Sequence, residues 1–79
     1  MDSMLRLVMR LTFDPEADAA YLYLEEIPPG AAVQNVVVER DGKGDIVLDF
    51  DADGYLLGVE VIGAEALVRA ATLDKADRL

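Results

Sequence analysis

The stretch from Leu48 to Ile62, read Leu-Asp-Phe-Asp-Ala-Asp-Gly-Tyr-Leu-Leu-Gly-Val-Glu-Val-Ile, constrains the fold more than any other part of the chain. Before it stand Ile46, Val47 and Leu48, and after it Tyr55, Leu57, Val59 and Val61 recur at period two. A period of two places those side chains on one face of a strand. Between the two runs, Asp51-Ala52-Asp53-Gly54 is a turn signal, with glycine available for a positive φ. The stretch therefore reads as an antiparallel hairpin, and the rest of the chain has to be built around a sheet.

The same residues also satisfy a cation-binding pattern. Asp49, Asp51 and Asp53 precede Gly54, and Glu60 follows six residues later, which matches D-x-[DN]-x-[DN]-G-x5-E. Such a loop supplies a hard cation with carboxylate and carbonyl oxygens, and its final glutamate closes the site. The pattern requires a helix on each side, and both flanks here alternate as strands. In a straight hairpin Glu60 lies roughly 20 Å along its strand from the turn, at about 3.3 Å per residue. A structural turn is the preferred reading. Calcium held by Asp49, Asp51 and Asp53 is kept as the alternative.

Upstream, residues 4 to 13 alternate, with Leu5, Leu7, Met9, Leu11 and Phe13 on one face and Arg6, Val8, Arg10 and Thr12 on the other. Asp14-Pro15-Glu16-Ala17-Asp18-Ala19 reads as a turn in which Asp14 accepts backbone amides and Pro15 presets φ. Ala20 to Leu24 forms a second strand, with Tyr21 and Tyr23 on one face and Leu22 and Leu24 on the other. Pro28, Pro29 and Gly30 end that ladder. Ala32 to Arg40, with Val33, Val36, Val37 and Val38, is a third strand, apolar on both faces. Asp41-Gly42 marks a tight turn into a fourth strand, Asp45 to Phe50, and Tyr55 to Ile62 is the fifth. After Gly63 the apolar period lengthens: Ala64, Leu67, Val68 and Ala71 predict a helix over 64–71. Residues 72–79 are expected to extend it or to form a loose tail.

Two blocks of this chain resemble the small bacterial family known as domain of unknown function 2283. The first is Phe13-Asp14-Pro15-Glu16-Ala17-Asp18-Ala19-Ala20-Tyr21-Leu22, similar to the family's aromatic, then Asp-x-Glu-x-Asp-Ala-x-Tyr-(Ile/Leu). The second is Leu48 to Ile62, similar to Leu-Asp-aromatic-Asp-x-Asp-Gly-x-(Ile/Leu)-(Val/Leu)-Gly-Ile-Glu-Ile-Leu. Where the family continues with an Asp-Ala-Ser helix start, this chain has Gly63-Ala64-Glu65, which offers no side-chain cap. The resemblance implies a compact sheet with a short helix and brings no activity with it.

Seventy-nine residues make a single domain, 1–79, with its core expected over about 4–71. Short connections make an α+β fold the expectation: a small antiparallel β-meander of about five strands with one short C-terminal helix. With no cysteine and no histidine, thiolate sites and imidazole chemistry are excluded, and no cofactor is expected. The net charge of −9, from 16 acids against 7 bases, opposes binding to nucleic acid. No apolar run is long enough to suggest a membrane segment or a leader, so a cytoplasmic protein is the expectation.

One short helix covers only part of one sheet face, while the second and third strands are apolar on both. A soluble monomer rarely exposes a large contiguous apolar patch. A homo-oligomer, a dimer or larger, is therefore expected, with Tyr21, Tyr23, Val36 and Val38 as candidate contact residues. The acidic balance suits a basic protein partner, for instance a small toxin-like protein. The favoured function is a non-enzymatic interaction module. The catalytic alternative is a carboxylate enzyme using Asp14, Asp18, Asp49 and Glu60, which would need burial to split their pKa values.

Overall fold

The computed structural model describes residues 9–79. The alternation read over Leu5, Arg6, Leu7 and Val8, and with it the start of the expected core, lies outside the described residues. The elements run β1 (Arg10–Asp14), β2 (Ala19–Tyr23), β3 (Gln34–Arg40), β4 (Gly44–Phe50), β5 (Leu56–Ile62), α1 (Ala64–Leu67), α2 (Ala70–Leu73) and β6 (Asp77–Arg78). The strands form one sheet in the order β3-β4-β5-β2-β1-β6. Among the described residues only the β1–β6 pair is parallel. The fold is α+β, as the periodicities predict.

The strand order is more specific than a simple meander. Strands β3, β4 and β5 do follow one another in space, but β2 lies against β5 rather than β3. The cause is the connection after β2. Pro28 and Pro29 have no amide to give a ladder, so the chain crosses the end of the sheet before pairing again. It is fastened on both sides of the crossing: the Leu24 amide donates to the Leu57 carbonyl at 3.0 Å, and the Val33 amide to the Phe50 carbonyl at 2.9 Å. The molecule is thus a β1–β2 hairpin joined along β2–β5 to a three-strand meander.

Both acid-rich turns form as turns. Asp14 Oδ1 accepts the Glu16 and Ala17 amides at 3.0 and 3.3 Å. In the second turn Asp51 Oδ1 accepts the Asp53 and Tyr55 amides at 3.0 and 2.9 Å. There the Asp51 amide donates to the Tyr55 carbonyl at 2.9 Å, and Gly54 takes a φ of 87°. This is a three-residue hairpin loop with glycine in the left-handed position. Tyr55, expected as the first residue of the fifth strand, precedes β5 and is exposed.

The expected single helix over 64–71 is two short helices. Val68 is extended at φ −123°, ψ 136°, and Arg69 has ψ 144°, so the helical run breaks there and restarts at Ala70. Gly63 gives α1 no side-chain cap. The cap comes from the first turn instead: Asp18 Oδ1 accepts the Glu65 amide at 2.9 Å, and the Asp18 carbonyl accepts the amides of Gly63 and Ala64 at 2.9 and 3.0 Å. Residues 72–79 are tied down rather than loose. Leu73 is buried, β6 pairs with β1, and the Leu79 amide donates to the Phe13 carbonyl at 3.0 Å.

Register assigns every strand residue to a face, because directly opposed residues share one. One face carries Leu11, Phe13, Ala20, Leu22, Val59, Val61, Ile46, Leu48, Val36 and Val38. The helices pack on its β1–β2–β5 end, where Phe13, Ala20, Ala64 and Leu73 form the buried cluster, with Leu11, Val61, Val68 and Ala76 against it. This is the thin core expected of a domain this small. The opposite face bears no helix among the described residues.

Candidate functional site

On the helix-free face, the registers lay out a grid. One row across the sheet reads Asn35, Asp49, Gly58, Tyr23, Arg10; the next reads Val37, Val47, Glu60, Tyr21, Thr12. The third row is Glu39, Asp45, Ile62, Ala19, Asp14. Side chains from five strands therefore meet on one open surface.

Gly58 decides how they meet. It is a glycine inside a strand, which marks close approach by another group. A Cβ placed there would lie 2.5 Å from Tyr21 Cε1 and 2.6 Å from its hydroxyl oxygen. The tyrosine ring occupies the space a side chain would take. Leaning across β5, it donates its hydroxyl hydrogen to Asp49 Oδ2 at 2.7 Å. The Asn35 side-chain amide donates to Asp49 Oδ1 at 2.9 Å. Tyr21 on β2 thus clamps β4 over the top of β5, and Asn35 adds β3.

Aromatic contacts extend the network to the other edge. The Tyr21 and Tyr23 ring centroids are 4.6 Å apart and tilted by 49°. The Arg10 guanidinium lies 4.2 Å from the Tyr23 centroid, within cation–π range. Burial above all, then the hydrogen bond and charge of Asp49, then Tyr23 and Glu60, push the Tyr21 hydroxyl above its ordinary value. It keeps its proton throughout the neutral range and acts as a donor. A depression of about 330 Å³ flanks this network, with Thr12, Asp14, Tyr21, Tyr23, Glu60 and Leu79 among its lining residues.

The residues singled out from sequence are distributed unevenly. Asp49 belongs to the clamp, and Glu60 stands beside it, opposite Tyr21 on the ladder. Asp14 and Asp18 are engaged by backbone amides in the first turn and at α1. The two acid-rich turns sit at opposite ends of the sheet, since Asp18 meets Gly63 past the far end of the seven-residue β5. Asp49, Asp51 and Asp53 likewise diverge: Asp49 points to Tyr21 and Asn35, Asp51 folds back on its own turn, and Asp53 is exposed. Among the described residues no three carboxylates are grouped to hold a metal ion. Tyr21 and Tyr23 lie on the clamp face, whereas Val36 and Val38 lie on the helix-bearing face. Nothing local in the sequence marks Asn35 for this contact, and the isolated glycine in β5 is the one local signal of the clamp.

Both motif blocks noted in the sequence converge on this clamp, Tyr21 from the first and Asp49 with Gly58 from the second. The sequence profile of the family described as "Protein of unknown function (DUF2283)" matches residues 10–64. The chain belongs to this family. The match to DUF2283 takes in β1 to β5 and every residue of the clamp, and it ends where α1 begins. No curated protein and no solved structure matches the chain significantly. Among the described residues no helix is long and apolar enough to cross a membrane.

Proposed function

We propose that this DUF2283 chain is a protein-interaction module that works by self-association, through contacts rather than chemistry. One observation carries the reading. Among the described residues the helices cover the β1–β2–β5 end of their face and reach β4 through α1, and toward β3 the same face stays open. Val36 and Val38 are each 41% exposed there, beside the partly exposed Ile46, Leu48 and Phe50. Contiguous apolar surface of this kind on a small soluble protein marks a contact site. A second copy is the occupant that fits, because among the described residues Val36, Val38, Ile46, Leu48 and Phe50 carry no charge for a partner to read, and Arg40 stands only at the end of the strip.

The measurement is solution mass by light scattering across a range of protein and salt concentrations. The expected result is a multiple of the 8.6 kDa chain that persists in high salt, since apolar docking is not screened. A mass of one chain at every concentration would overturn the reading.

The other face favours a second reading. Glu39, Asp45, Asp49 and Glu60 share it, with Arg10 as the base in those rows, and the whole chain carries −9. A basic protein docking on that face would bind with an affinity that falls steeply as salt rises. The two readings are therefore separable by salt alone.

A further inference from the structure

The two edges of the sheet are built differently. At one edge β6 offers two residues. At the other β3 offers seven, all exposed, and among the described residues it has a neighbour on one side only. A bare edge presents unpaired amides and carbonyls and is a template for another strand. Natural sheets blunt such edges with proline, with charged side chains, lysine above all, or with a bulge, and β3 carries its two charges, Glu39 and Arg40, at one end only. The β3 sequence Gln-Asn-Val-Val-Val-Glu-Arg has neither proline nor lysine, and its register against β4 is regular from end to end. The irregularity in this half of the sheet falls between Asp49 and Phe50 on the β4–β5 side.

The sequence of that edge has a symmetry of its own. Two polar residues, three valines and two polar residues read alike in both directions about Val37. A two-fold axis makes a patch meet itself, so only a self-complementary patch suits it. We infer that β3 pairs antiparallel with β3 of a second copy, with the two-fold axis through Val37, so that the two sheets become one. Val37 then faces the second copy's Val37, and Val36 faces Val38. Asn35 meets Glu39 and Gln34 meets Arg40, each an amide against a charged group that it can hydrogen-bond. No like charges are opposed.

Neighbouring registers lose this match. An axis perpendicular to the sheet keeps each face continuous, so the register can move only in steps of two. Centring it on Val38 sets Val36 against Arg40 and Val37 against Glu39. Centring it on Val36 sets Asn35 and Gln34 against valines. The Val37 register also brings the open strips of both copies side by side, Val36, Val38, Ile46 and Leu48 from each. That is why the inference rests on the self-association reading: it supplies the edge and register by which that association occurs. A seven-residue edge is about 24 Å long, which puts the contact at the small end of specific interfaces. The dimer is accordingly concentration-dependent.

The test uses the whole chain with Val37→Lys and Val37→Glu, prepared separately and then mixed. Val37 is 55% exposed, so neither change disturbs the core, and circular dichroism of each variant checks that the sheet is intact. Each variant alone sets like charges against each other on the axis and is expected to shift from dimer to monomer. Mixing the two is expected to restore the dimer, about tenfold tighter than either variant alone. If both variants stay as dimeric as the parent chain, the edge pairing is wrong while self-association stands. If they dissociate but the mixture does not recover, the axis does not pass through Val37. If the parent chain is itself monomeric, the edge pairing and the reading beneath it fail together.

Discussion

Phe13 and Val36 sit on the same face of the same sheet, one under the helices and one at the far edge. Phe13 is 2% exposed and Val36 41%. Both strands put apolar side chains on this face, so alternation alone does not decide burial. What decides it is reach. A helix is roughly 10 Å across and rises about 1.5 Å per residue, so α1 and α2, four residues each, cover little beyond β1, β2 and β5. Six strands at about 4.8 Å spacing are far wider than that. The covered end therefore supplies stability, and the open end is the surface on which the proposed association would draw.

The sharpest way to break this comparison is to truncate both ends. Phe13→Ala leaves a cavity in the buried cluster and should cost about 3–5 kcal/mol. That is a large share of the stability of a domain this size. Val36→Ala, measured by urea denaturation in dilute solution, should cost under about 1 kcal/mol because little packs on it. Equal costs would mean that the far end is covered as well as the near one.

The helix-free face sharpens the contrast next. Gly58→Ala would set a methyl group 2.5 Å from Tyr21 Cε1 and 2.8 Å from the Leu22 carbonyl oxygen. The second contact is backbone and cannot swing away. The expected cost is about 1–3 kcal/mol, with the Tyr21 ring resonances displaced in the NMR spectrum. An unchanged melting temperature would show that the ring does not rest on β5.

On that face a smaller effect than that of Gly58→Ala belongs to the clamp hydrogen bond. Tyr21→Phe should cost about 1 kcal/mol. It should also change the alkaline limb of stability. The folded-state value of this hydroxyl is raised above the ordinary 10.0, so its contribution is complete below pH 10. It falls as pH rises from there toward the folded-state value. The phenylalanine variant should lack that part of the alkaline loss, as read by denaturant titrations at stepped pH.

Local signals were legible in the sequence and distant ones were not. The hairpin of β4 and β5 and the first turn rest on residues within a few positions of each other, and Asp14 and Asp51 cap their own turns as their type predicts. The β2–β5 pairing depends on where a proline-rich crossing delivers the chain, which no local pattern encodes. The Tyr21–Asp49 bond joins residues 28 apart and exists because Gly58 leaves room for it. The helix break at Val68 and Arg69 and the pairing of β6 are likewise set by the surface they fold onto.

Asp18 has one more consequence, for the route by which the chain folds. Its side chain caps α1 across 47 positions of sequence. A four-residue helix has no stability of its own, because its nucleation is unfavourable and it ends before propagation can compensate. The first helix therefore waits for the β1–β2 turn to reach the end of β5. That contact closes a long loop, whereas the β1–β2 and β4–β5 hairpins are local. The first helix is therefore expected to appear together with the sheet and not ahead of it, and Asp18→Ala should loosen α1 while leaving the β4–β5 hairpin in place.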